Sequence, residues 1–208
     1  MMHRGVTLPE TYLMTLVSAS LQPSSQSTAR LREALSHDHP RARVIAMRGL
    51  ARHNELTVSE WAALVGDVES EVRRETLSEI GGRGACPVAV DLLLAALGDP
   101  DPLVAEAAAF ALGECALVEG ESALITMVQR HDDARCRETA VVALGLLGLD
   151  SSRDAIIGAL DDKPTVRRRA VVALANFDGE DIEAALDRAA EDRDWQVRSA
   201  VEQLRRES

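Results

Sequence analysis

The sequence predicts an all-α chain of about six consecutive helical pairs behind one N-terminal helix, and three observations predict it. Residues 28–208 carry a repeating pattern whose anchors, Ala42, Val72, Val104, Cys136, Val166 and Val197, lie 30, 32, 32, 30 and 31 residues apart. After each anchor, small or apolar residues follow four and seven to eight places later, as in Val166, Ala170, Ala173 and Leu174, which is one face of a helix. Aromatic residues are only 2% of the chain, whereas the strands of sandwiches and barrels favour aromatic and β-branched side chains. A fixed period of this length marks an array of helical pairs.

Residues Thr7-Leu8-Pro9-Glu10 open a helix that runs to about Leu21, with Tyr12, Leu16 and Val17 on one face, and Gln22 to Ser27 reads as a linker. Segment 1–27 is therefore expected to cap the stack, with a mobile arm that engages another subunit as the alternative. Six copies follow, at about 28–53, 57–83, 87–116, 120–148, 151–176 and 180–208. In the first helices the apolar stripes include Trp61 and Leu64, Leu93 and Leu97, Leu124 and Val128, Ile156 and Leu160, and Ile182 and Leu186. Thr57 with Glu60 reads as a capping box, and Ser151 with Asp154 and Asp178 with Asp181 read as similar starts. Gly81, Gly113 and Gly145 are expected to end the anchored helices, because glycine accepts a left-handed backbone. Arg205 and Arg206 close the last copy with a polar end.

Polar positions recur as well. Arg43, Arg73, Arg137, Arg167 and Arg198 follow their anchors, with Ala105 as the exception. Five residues before the anchors stand Asp67, Asp99, Asp161 and Asp192, replaced by His37 and His131 in two copies. A group that recurs once per unit does one job per unit, so these residues are assigned to structure rather than to catalysis.

The runs Asp99-Pro100-Asp101-Pro102-Leu103-Val104 with Ala111-Leu112-Gly113, Cys136-Arg137 with Ala143-Leu144-Gly145, and Asp161 with Val166-Arg167 and Ala173-Leu174 resemble HEAT repeats. The likeness is to the short bacterial type also seen in phycocyanobilin-lyase-like proteins. It implies a right-handed α-α superhelix, a HEAT/armadillo-like solenoid with first helices on the convex side and second helices on the concave side. It further implies that the repeated Asp and Arg residues form a hydrogen-bonded ladder between turns. HEAT-like deoxyhypusine hydroxylases hold two irons through His-Glu pairs, but the corresponding pairs here are Ala105-Glu106 and Arg137-Glu138, so a di-iron site is disfavoured.

Charge and cysteine usage narrow the function further. Residues 1–53 carry net +4, and residues 54–208 carry net −15. The acidic body repels phosphate backbones, which makes nucleic acid an unfavoured partner outside a small basic end at Arg41, Arg48 and Arg52. Cys86, Cys115 and Cys136 are odd in number and lack CxxC spacing, so neither a disulfide framework nor a zinc site is expected, and a reducing, cytoplasmic setting fits. The clusters His37-Asp38-His39 and His131-Asp132-Asp133 lie in turns and read as loop residues rather than metal ligands. The leader-like start MMHRGVT precedes an apolar run broken by Thr15, and no run approaches the roughly 20 apolar residues that span a bilayer.

Two, three and six places after each anchor, side chains are expected to face away from the partner helix. Position six reads Arg48, Ser78, Phe110, Val142, Val172 and Gln203, so Phe110, Val142 and Val172 form an apolar stripe over three units. Glu106 and Glu138 flank it, and Arg168 and Arg169 stand at one end. An apolar centre with an aromatic anchor and a charged rim suits a protein or peptide partner, unless the stripe packs between neighbouring helices instead. The expectation is a non-catalytic scaffold without cofactor or metal. A tetrapyrrole and acceptor-protein chaperone, similar to phycobilin lyase subunits, and weak nucleic-acid binding are the alternatives.

Overall fold

A computed structural model of the chain describes residues 9–207, and every regular element among them is helical. The leader-like start and the Thr7-Leu8 approach to the first helix lie outside the described residues. Helix α1 (Glu10–Leu21) is followed by six pairs. These are α2 (Ser25–Ala34) with α3 (Pro40–Arg52), α4 (Val58–Val65) with α5 (Ser70–Arg83), and α6 (Val90–Ala96) with α7 (Pro102–Glu114). Next come α8 (Glu121–Arg130) with α9 (Ala134–Leu147), α10 (Arg153–Gly158) with α11 (Pro164–Leu174), and α12 (Glu180–Ala190) with α13 (Trp195–Glu207). The connection after α1 is shorter than the sequence suggests, because Ser24 already caps α2 by accepting from the Ser27 N–H.

Local chemistry explains most helix starts. Prolines open α3, α7 and α11, where the missing N–H costs nothing and the fixed φ suits a first turn. Asp101, Asp133 and Asp194 accept from N–H groups two residues on, and His39 Nδ1 does the same for Arg41. The Thr57/Glu60 capping box forms as expected. Ser151 and Asp178 do not act that way: a 3-10 turn, Asp150–Ser152, leads into α10, and Gly179 at φ 142° leads into α12.

The glycines at the ends of the second helices serve a different purpose from the expected one. Gly81, Gly113 and Gly145 lie inside α5, α7 and α9, while the left-handed terminal positions belong to Gly84 at φ 62° and Gly148 at φ 61°. A Cβ on Gly113 would lie 2.8 Å from Ala143 Cα, and one on Gly145 would lie 2.8 Å from Ala173 Cβ. These glycines let neighbouring second helices approach closely. Second helices accordingly pack on one another along the stack, whereas first helices touch one another little. The second helices therefore form the tightly packed layer of the stack.

One continuous apolar core runs from α3 to α13, filled by small side chains such as Ala108, Ala111, Ala140 and Ala170 between Leu77, Leu112, Leu144 and Leu174. A smaller cluster of Leu16, Leu31, Ala46 and Leu50 joins α1 and α2 to α3. Helix α1 packs on α3 much as each second helix packs on the next. Its C-terminal end is held by Arg52 Nη1 and His53 Nε2, each 3.1 Å from the Ser20 carbonyl oxygen.

The Asp/Arg ladder joins consecutive units. Arg43 donates to both oxygens of Asp67 at 2.8 and 2.7 Å, and Arg73 does the same to Asp99 at 2.7 and 2.8 Å. Arg137 donates to Asp162 at 2.6 and 2.7 Å, and Arg167 to Asp192 at 2.8 and 2.7 Å. Each guanidinium also donates to a carbonyl of its own turn, at His37, Asp67, His131 and Asp162 respectively. Asp162, not Asp161, is the rung in the fifth unit, because the shorter turn before Pro164 places the later carboxylate opposite Arg137. Among the described residues the junction between the third and fourth units has no rung. Ala105 supplies no guanidinium, and His131 stands where the carboxylate would be, its Nδ1 accepting from the Asp133 N–H at 3.1 Å.

The pairing shifts the carboxylates. Arg137 holds the Asp162 carboxyl below its usual range, and Arg167 does the same at Asp192. At Asp99, burial pushes the carboxyl up, but the Arg73 guanidinium and the Asp101 N–H outweigh it and the result is again low. With folded-state values below the unfolded ones, this stabilisation is complete above about pH 4 and is lost as pH falls through the depressed folded values. Thermal unfolding followed by circular dichroism should show melting temperature falling below about pH 4, and less steeply in Arg167→Gln.

Two substitutions test the packing and the ladder. Gly113→Ala should destabilise by about 2 kcal/mol in urea unfolding, because the facing atom is backbone and cannot move aside. Installing the absent rung with Ala105→Arg and His131→Asp together should raise the melting temperature above the sum of the single effects, a coupling of about 1–2 kcal/mol.

Candidate interaction surface

The surface expected to be concave is built by the exposed sides of α5, α7, α9 and α11. Outward-facing positions only partly follow the expected rule, since Val44 and Ala107, at positions two and three, are buried at 6% and 7% exposure. Neighbouring second helices approach so closely that these side chains are covered across the seam. Position six stays open: Phe110 is 36% exposed and Val172 54%, while Val142 between them is half-buried. The alternatives of groove and inter-helix packing are both partly realised at Phe110. Its ring lies over Gly81, where a Cβ would come within 2.5 Å of Cε1, yet a third of the residue remains accessible.

Phe110, Leu103 and Ala107 of α7 line a hollow of about 250 Å³, with Arg74 and Ser78 of α5 on one side and Thr139 of α9 on the other. Glu106 borders the same hollow, and its carboxylate makes no hydrogen bond or ion pair among the described residues. Arg74 is engaged by Glu75 at 2.6 Å, and Glu75 also takes Arg48. Glu138 pairs with Arg169 across α9 and α11 at 3.0 Å. Arg168, one residue before, makes no ion pair among the described residues. The stripe is thus bordered by Glu106 and Arg168, which make no ion pair among the described residues, while Arg169 is paired with Glu138 and Glu75 takes both Arg48 and Arg74.

Leu146 belongs to this surface and was not singled out by the repeat pattern. It is 52% exposed, and its Cδ1 would lie 3.4 Å from a Cβ on Gly113. The signal was available, since Leu146 stands one helical turn beyond Val142 on the same face.

The basic end is less available than its composition suggests. Arg41, Arg48 and Arg52 share one side of α3, but Arg48 pairs with Glu75 and Arg52 donates to the Ser20 carbonyl. Arg43 is buried in the ladder. Burial pushes the Cys115 and Cys136 thiols up to about 11. Among the described residues, no group of three or more His, Cys, Asp or Glu side chains could hold a metal ion, and no helix is long and apolar enough to cross a membrane.

A sequence profile described as HEAT repeats matches residues 28–113, 58–144 and 121–205. A curated relative, serine/threonine-protein kinase 36 of Pongo abelii, is 28% identical, and the match covers 83% of this chain but only 16% of that protein. Among solved structures, a designed armadillo repeat protein in complex with the peptide (KR)4 is similar with a TM-score of 0.61 and 17% identity, covering 93% of this chain and 98% of the other. An engineered protein has a TM-score of 0.65 at 20% identity, covering 85% and 96%. The complex of CpcE and CpcF of phycocyanin lyase from Nostoc sp. PCC7120 has a chain with a TM-score of 0.55 at 16% identity, covering 97% and 91%. At these identities the likeness is one of fold.

Proposed function

The chain belongs to the HEAT-repeat family, and on that footing we propose that it is a non-catalytic scaffold that takes a segment of a partner protein along its inner surface. The observation that carries this reading is the apolar row of exposed Phe110, Leu146 and Val172 with half-buried Val142 among them, running over three consecutive units. The segment that fits presents apolar side chains to this row, a basic group to Glu106 and an acidic group to Arg168, which leaves no free charge buried beneath it. Similar stacks support the reading by their own assemblies, one with a (KR)4 peptide and one in a two-protein complex. The recurring Arg and Asp residues are occupied in joining units, which supports a role without catalysis. The three free cysteines fit a reducing, cytoplasmic location.

A tetrapyrrole fits the surface less well. Phe110 is its one aromatic side chain, and the hollow of about 250 Å³ lies below the roughly 300–1,000 Å³ of small-molecule pockets. It is the size for a partner's side chain. Binding of nucleic acid is disfavoured by the occupied guanidinium groups of Arg48 and Arg52.

The test begins by crosslinking the chain to its partner in a cell extract and purifying that partner for titration. Phe110→Asp, with an unchanged circular dichroism spectrum, should weaken binding by about tenfold or more, the effect of losing a central aromatic anchor. Substituting Ala at both Arg48 and Arg52 should leave affinity within about twofold at physiological salt. The opposite pattern, with only the arginine variant impaired, would falsify the inner-surface reading and move the site to α3.

A further inference from the structure

Cys86 and Cys115 are both free and half-buried, one just before the third unit and the other near its end. Cys86 lies in the loop between α5 and α6, and Cys115 caps the C-terminal end of α7. Two contacts bring these segments together. Cys115 Sγ reaches the Ile80 carbonyl oxygen at 3.8 Å, and a Cβ on Gly84 would lie 3.8 Å from the Glu114 carbonyl oxygen. The start of the loop therefore runs directly beside the residue that bears the second thiol. Cys86 Sγ donates to the Val88 carbonyl at 3.2 Å, and burial, with the neighbouring Cys86 thiol adding to it, pushes the Cys115 thiol up to about 11. Cys86 also lines an opening of about 250 Å³ shared with Ala51, Trp61 and Pro87, large enough to admit a small oxidant. Cys136 is different: it is fully buried in α9, and its Sγ donates to the Pro102 carbonyl at 3.2 Å.

We propose that Cys86 and Cys115 are a modification site that forms an intramolecular disulfide when the chain meets a hydroperoxide. The Cys86 thiolate, reached through the opening, attacks the peroxide, breaking the O–O bond to give a sulfenic acid and releasing hydroxide, or from an alkyl hydroperoxide an alkoxide that takes a proton from water. The Cys115 sulfur then attacks the oxidised sulfur. The S–S bond forms, the S–O bond breaks, and the oxygen leaves as water with the Cys115 proton. Peroxide is reduced by two electrons, and the two thiols supply them. The product bolts the loop after α5 to the end of α7, the helix that carries Phe110. A thiol reductant reverses it.

The full chain is treated with hydrogen peroxide, alkylated and digested. Arg83 and Arg130 bound a segment without an internal Lys or Arg, so both cysteines fall in one tryptic peptide, 84–130. That peptide should lose two alkylation sites together and about 2 Da in mass, reversed by dithiothreitol, while Cys136 alkylates fully after unfolding. Cleavage at Glu106 and Glu114 should leave two fragments that remain joined. In Cys115→Ser, Cys86 should become trappable as a sulfenic acid by dimedone. Oxidation of Cys86 with Cys115 still alkylated in the wild-type chain, or a disulfide only between two chains, overturns the proposal.

Discussion

How near two second helices can come is the constraint on which the rest of this stack depends. Where Gly113 faces Ala143 and Gly145 faces Ala173, there is no room for a further carbon, and the backbones meet almost directly. First helices have no such contact, so the array is dense along one layer and open along the other. That asymmetry follows from residue size. The same closeness decides which side chains reach solvent on the inside, covering Val44 and Ala107 and leaving Phe110, Leu146 and Val172 in the open. The open apolar row is thus a by-product of how small the seam residues are.

The ionic ladder works on the edge rather than in the core. Each bidentate guanidinium satisfies a carboxylate of the next unit and a carbonyl of its own, so register is set by geometry that a lysine would not reproduce. The rung side chains are only 5–17% exposed, so the cost of desolvating them offsets much of what each rung adds to stability. In the turns of the first and fourth units no arginine arrives from the preceding unit, and His37 and His131 take over the local task through Nδ1. The carboxylate is needed only where there is a cation to receive, whereas the turn needs an acceptor in every copy.

Much of the architecture was legible because a periodic pattern reports the same physical demand many times. Anchors, first-helix stripes and the arginine positions each recur, and the capping box at Thr57 announces itself by residue type. The glycines misled for a reason internal to their chemistry: near a helix end the residue suits both a left-handed terminus and a close approach, and only the neighbouring helix distinguishes them. Asp161 and Asp162 are adjacent, so a register inferred from spacing falls between them until the turn before Pro164 is known. On the inner surface the period told which residues leave their own helix, but not which are covered from across the seam. Phe110 and Val172 were found that way, while Leu146 lay one turn past the positions considered. The pairing of Arg48 with Glu75 was equally hidden, since it joins side chains whose approach no single-helix pattern encodes.

The vacant rung between the third and fourth units has a mechanical meaning. At that joint alone among the described residues, the two units are held by helix packing without an ionic clasp on the outer edge. Helix packing takes the place of the clasp: Gly113 of α7 meets Ala143 of α9 so closely that a further carbon has no room. That joint lies beneath Phe110 and Thr139, at the hollow's own wall. The one unclasped junction is thus held by small residues directly under the apolar surface, while four ionic clasps fix the others at their edge.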